Sequence, residues 1–228
     1  MRDPKRMPLD PQDATLIGLV SILAEAPWTI GRADLDRARA VGLSDGTLAH
    51  AIVLTSFFHY LNRVADAVDL DFDYESPLER LVRATGREPI ERPPPARWTC
   101  GEGLPALSFA DFPRAEAPFE AWRAYLTERN APLGRRQRNV LRRAAAAALC
   151  DAAGVSELAD ATPRDDLERR LAAYAHTMTV APWRLTKDAL DGLRKGGLDD
   201  GGLLDLISVA AFQNTASRIR LGFTAGAR

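Results

Sequence analysis

The chain has 228 residues, 46% apolar and 27% charged, with 30 basic against 31 acidic side chains and a net charge of −1. That length allows one large domain or two small ones with a real core, and the even charge balance argues against a nucleic-acid partner, which calls for a basic face. No apolar run nears the roughly 20 residues of a membrane span, no hydrophobic signal region follows Met1–Arg6, and Cys100 and Cys150 are too few for a disulfide framework; a cytoplasmic protein without membrane contact is expected.

Leu16, Leu19, Val20 and Leu23 recur at helical spacing and predict a helix over 12–25, stopped at Pro27. Arg32 to Ala40 reads as a short helix closed by Gly42, and Ser44 as the N-cap of a long helix from about Asp45 to Ala67. Asp69, Asp71 and Asp73 follow, but Tyr74 replaces the glycine and Arg80 the glutamate that a calcium loop needs, so no metal site is expected. A short helix over Pro77–Thr85 leads into an irregular connector at 87–116, rich in proline and glycine. Connectors that long usually cover a site or an interface. Phe119–Arg129 is an amphipathic helix with Trp122, Tyr125 and Leu126 on one side. Arg135–Ala153 is a helix whose Ala144–Ala148 stretch has no large side chain, and it is expected to lie against both long helices, with Cys150 out of solvent. Its arginines, Arg135, Arg136, Arg138, Arg142 and Arg143, form a stripe expected to face solvent or a subunit. The last region predicts a helix over 165–179, a break at Pro182, Thr186 and Asp199 as N-caps, and a long helix to about Leu221. Almost no stretch alternates with period two, so the fold class is all-α.

The first and last regions are copies. Residues 26–65 laid on 181–220 without a gap give 14 identities in 40 positions, beginning with Ala26-Pro27-Trp28 on Ala181-Pro182-Trp183. A period of 155 residues is too long for a solenoid unit and reads as a duplicated helical module. Each Trp stands at a helix break and is expected to serve the core.

Gly42-Leu43-Ser44-Asp45 through Phe57-Phe58-His59-Tyr60-Leu61-Asn62-Arg63 recurs as Gly197-Leu198-Asp199-Asp200 through Phe212-Gln213-Asn214-Thr215-Ala216-Ser217-Arg218. With Tyr174-Ala175-His176 and the following residues to Pro182, this pattern resembles the peroxidase-related branch of the alkylhydroperoxidase D (AhpD) / carboxymuconolactone decarboxylase superfamily. The resemblance covers about 45 residues of the first copy and about 90 of the second, and none of the connector. It implies a single AhpD-like all-α domain over 1–228 with an internal two-fold: first repeat 12–67, connector 68–116, intervening helices 117–153, second repeat 165–221. It also implies a homo-oligomer.

Thiol peroxidases of that family carry Cys-x-x-Cys-x-x-x-His with an upstream glutamate; a thiolate attacks the peroxide and a second cysteine resolves the sulfenic acid. Here Cys150 stands alone. Taken as the first cysteine, it puts Ala153, Glu157 and Arg138 at the other positions; taken as the second, it puts Ala147, Gly154 and Arg135 there. The first copy has no room for that helix before residue 12.

Two functions follow from a kept scaffold with a missing relay. One is a structural or regulatory partner of a related AhpD-like redox protein. The other is a small-molecule enzyme, of carboxymuconolactone-decarboxylase or peroxidase-related type, acting without a cofactor. In the second, His59 or Cys150 is catalytic, and Asn62, Arg63, Asn214 and Arg218 bind an anionic ligand, since an Arg four residues after His59 or Asn214 fixes a cation beside a hydrogen-bonding group. The plainer alternative gives each Arg to a neighbouring helix or a helix carboxyl end, and makes Cys150 a small buried apolar residue. A Cys100–Cys150 redox pair is a further alternative.

Overall fold

The computed structural model describes residues 8–68, 70 and 107–225, and these form nine α-helices with no strand among them. The predicted helix at 77–85, the three aspartates at 69–73, Cys100 and most of the connector lie outside the described residues.

Helix α1 (Pro11–Glu25) starts at Asp10, whose carboxylate accepts from the Asp13 amide at 2.8 Å. It ends at a 3₁₀ turn, Pro27–Thr29, because Pro27 has no N–H to continue the ladder. Helix α2 (Arg32–Ala40) is followed by Gly42 at φ 90°, a left-handed conformation that suits glycine. Helix α3 (Asp45–Ala67) is capped by the Ser44 hydroxyl, which accepts from the Thr47 amide at 3.1 Å.

The same order returns further on. Helix α7 (Asp166–Val180), a 3₁₀ turn (Pro182–Arg184), α8 (Lys187–Lys195) and α9 (Asp200–Phe223) start 155 residues after their counterparts and, α9 apart, end there too. Gly197, at φ 101°, stands where Gly42 does. The ion pairs recur as well: Arg39 with Asp36 and Asp45, Arg194 with Asp191 and Asp200. Thr186 stands at the N-cap position of α8, as expected, but its side chain makes no capping hydrogen bond, whereas Asp199 accepts from the Gly202 amide at 2.7 Å.

Between the two regions lie α4 (Glu116–Thr127), α5 (Arg135–Ala148) and α6 (Ala152–Glu157). The predicted helix 135–153 is thus broken in two. Asp151 caps α6 by accepting from the Gly154 amide at 3.0 Å and also accepts the Ser217 hydroxyl at 2.7 Å. Cys150, at φ 56°, makes the turn that this requires.

Helix α9 is the axis of the fold. It is buried on nearly every side, with its buried polar residues Asp205, Gln213, Asn214 and Arg218 all hydrogen-bonded, and it packs along α3, α5 and α7. Helix α5 runs against α7 and α9 with Ala145, Ala146 and Ala148 buried; the expected packing on both long helices is corrected, because α3 is engaged by α9 and α1. One core joins α4, α5, α7, α8 and α9 with Ala67 at the end of α3; a second joins α1, α2 and the rest of α3 with Ile219 and Phe223 at the end of α9.

The arginine stripe of α5 is only in part solvated: Arg135 is exposed and Arg136 partly so, but Arg138 corrects the expectation. Arg138 has no exposed surface and donates to the carbonyls of Leu126, Ala131 and Leu133 at 2.8–3.1 Å. It also pairs with Asp205 on α9, so the buried charge is met on every side. Arg142 donates to Gln213 of α9 at 3.0 Å.

Candidate functional site

The carboxyl ends of α1 and α7 meet the last turns of α3 and α9 around a cavity of about 260 Å³. Its walls are Ala24 and Glu25 from α1, His59, Arg63 and Asp66 from α3, Thr179 and Val180 from α7, Arg218 from α9, and Pro182 with Trp183 from the second 3₁₀ turn. Residues 155 apart therefore stand together in one wall: Ala24 with Thr179, Glu25 with Val180, Arg63 with Arg218.

The last carbonyls of a helix lack partners within it, and both arginines supply them across the cavity. Arg218 donates to Leu23 and Ala24 of α1, each at 3.2 Å, and to the carbonyl and side-chain oxygens of Asn214 at 3.2 and 3.0 Å. Arg63 donates to the Thr179 carbonyl of α7 at 3.4 Å. A cation at a helix carboxyl end also meets its negative pole favourably. Asn214 is fully buried behind Arg218 and donates to Thr179 Oγ1 at 2.9 Å and Ala210 O at 3.0 Å. The plainer assignment of the arginines to helix ends is what the geometry contains.

His59 is different. Its Nδ1 is buried without a hydrogen-bond partner. Burial first, then the Arg218 charge and the Arg63 charge, lower its pKa to about 2, so the imidazole is neutral across the working range. The charges are also layered. Arg218 and Arg63 are 2% and 13% exposed, whereas Asp66 is 40% exposed and Glu25 lies at the surface. The floor is cationic and the rim acidic.

Of the residues singled out from sequence, His59, Arg63 and Arg218 line this cavity, and Asn214 supports it from behind. Asn62 is exposed and is not in the wall. Cys150 is half-buried in the α5–α6 turn, rather than out of solvent as expected, and is not in the wall either. Trp183, expected to serve the core alone, is only partly buried and forms part of the wall, while the neighbouring Pro182 is the buried residue. Glu25, Asp66 and Thr179 were not singled out. The first copy places Ala24 and Glu25 just ahead of its Ala-Pro-Trp break, the position of Thr179 and Val180, and that register was the signal for the helix-end residues.

Among the described residues, no group of three or more His, Cys, Asp and Glu is placed to hold a metal ion, and no helix is long and apolar enough to cross a membrane. In comparisons with known proteins, the chain matches no family model, no curated protein and no solved structure.

Proposed function

We propose that this chain is an AhpD/carboxymuconolactone-decarboxylase-like helical domain of two related halves that binds a small anionic molecule in the cavity between them. The observation that carries this reading is His59: a neutral imidazole with an unpartnered buried nitrogen, facing a floor of two guanidiniums. A carboxylate seated there takes charge-assisted hydrogen bonds, and its negative charge offsets the part of the His59 shift that Arg218 and Arg63 contribute, burial being the larger cause. That change makes the imidazole more basic, in the direction that holding or moving a proton on the ligand needs in a decarboxylase-like or isomerase-like reaction. This reading takes the protein as cytoplasmic and gives Cys150 no part in the chemistry.

Calorimetric titration with a panel of small mono- and dicarboxylates tests it. At least one is expected to bind, with proton uptake near neutral pH, and His59→Ala is expected to abolish the uptake. No binding by any member at millimolar concentration would remove the reading. Alkylhydroperoxide consumption with a dithiol reductant is expected to stay at background. Turnover that Cys150→Ser eliminates would restore the thiol-peroxidase reading.

A second reading, a structural or regulatory partner of a related redox protein, is favoured by one observation: Leu54, Phe57, Phe58 and Leu61 lie exposed along α3.

A further inference from the structure

The cavity between the two halves is charged in two layers, and the formal charges cancel. Arg63 and Arg218 are the cations of its floor, Glu25 and Asp66 the anions of its rim, and His59 is neutral. A guest that carries a carboxylate alone meets the floor but leaves the filled cavity with a net negative charge, which the rim acids repel. A guest that is anionic at one end and cationic at the other keeps the balance and meets each layer with the opposite sign.

The two acids stand where their helices do not favour them. Glu25 is the last residue of α1 and Asp66 the last but one of α3, and neither helix has a basic residue in its last turn. A helix carboxyl end is the negative pole of its dipole, and a carboxylate there is repelled. The repeat does not account for them either. It returns the floor arginine, Arg63 as Arg218, but Val180 and Leu221 stand 155 residues after Glu25 and Asp66. Asp66 faces Arg63 at 3.8 Å. A carboxylate has about four acceptor positions, so that pairing leaves room for a further donor. The cavity volume, about 260 Å³, lies below the roughly 300–1,000 Å³ of pockets for drug-sized ligands and suits a guest of few atoms.

We propose that the guest is a small amino acid in its zwitterionic form, its carboxylate on the cationic floor beside His59 and its ammonium held at the rim by Glu25 and Asp66. An ammonium is all donors and a carboxylate all acceptors, so the two ends are not interchangeable and the guest enters in one direction. A dicarboxylate is disfavoured, because its second charge faces the rim with like sign. The inference rests on the carboxylate-binding reading above and adds the second charge to it.

Calorimetric titration of the full chain with matched pairs is the test: acetate against glycine, propionate against β-alanine, butyrate against γ-aminobutyrate. Glutarate serves as the doubly charged acid and propylamine as the amine alone. In at least one pair the amino acid is expected to bind about fivefold or more tightly than the plain acid, near the upper range for an exposed ion pair. Glutarate is expected to bind more weakly than butyrate. The pair with the largest ratio reads the span from floor to rim. Glu25→Gln is expected to bring the paired affinities together, weakening the amino acid and strengthening the plain acid, with unchanged helical circular dichroism. Asp66→Asn serves if that variant misfolds. Plain acids that bind as tightly as their amino partners, propylamine that matches γ-aminobutyrate, or a ratio that survives both substitutions would overturn the zwitterion and leave the carboxylate reading standing. Binding by neither the acids nor the amino acids would remove both.

Discussion

Arg218 and His59 are four residues from equivalence, since His59 corresponds to Asn214, and they serve opposite ends. Arg218 is committed to four acceptors on two helices. Truncating it to Met keeps much of the volume but leaves buried carbonyls unmet, each at about 1–3 kcal/mol. Arg218→Met is expected to lower stability by about 3 kcal/mol or more, which in a chain of this size lowers the melting temperature by about 2–4 °C per kcal/mol; a thermal melt checks it. His59 makes a prediction about pH. Its pKa falls from 6.5 in the unfolded chain to about 2 in the fold, so below pH 6.5 the unfolded state binds a proton that the folded state refuses. Stability therefore falls as pH falls, by up to about 1.4 kcal/mol per unit. His59→Asn, which installs the residue of the other half, is expected to remove this slope. Urea unfolding at about pH 7.5 and about pH 5 reads the difference, up to about 2 kcal/mol.

At the scale of the helices, the α3–α9 crossing is set by Gly222. A Cβ there would lie 2.8 Å from Ile52 Cγ2 and within 3.2 Å of two further Ile52 carbons. Glycine to alanine inside a helix ordinarily gains roughly 0.5–1 kcal/mol, but a β-branched neighbour in a packed crossing has little room to turn. Gly222→Ala is expected to destabilise by about 1–3 kcal/mol, and a stabilised variant in chemical unfolding would contradict this packing. Most helix limits were legible because they are local chemistry: Pro27 and Pro182 stop helices, Ser44 and Asp199 start them, and Gly42 and Gly197 turn the chain. What was not legible depends on partners far along the sequence. The break at Cys150 exists because Asp151 meets Ser217, and Arg138 is buried because Asp205 stands 67 residues on. No spacing within α5 announces either. At the candidate site, the His59–Arg63 pair was readable from its helical spacing, while the contribution of Glu25 and Thr179 needed two helix ends to meet.

Over the whole molecule, the arginines form crossed links. Arg218 follows the second Ala-Pro-Trp and holds the helix before the first, and Arg63 does the reverse. Neither region keeps its helix end capped without the other, so unfolding is expected to be a single cooperative transition. Far-ultraviolet dichroism and tryptophan fluorescence should then give coincident curves, and a resolved intermediate would show the regions to be separable. The crossed links also bear on ligand geometry. A pocket on the axis of a true dimer of identical chains is the same from both sides, and it receives an unsymmetrical guest equally well in two poses. Here one polypeptide supplies both sides, and they differ: His59 stands 155 residues before Asn214, Glu25 before Val180, Ala24 before Thr179. The two poses are not equivalent. On the ligand-binding reading proposed above, an unsymmetrical acid in this cavity would meet an imidazole on one side and none on the other, so one of its two poses is expected to be preferred.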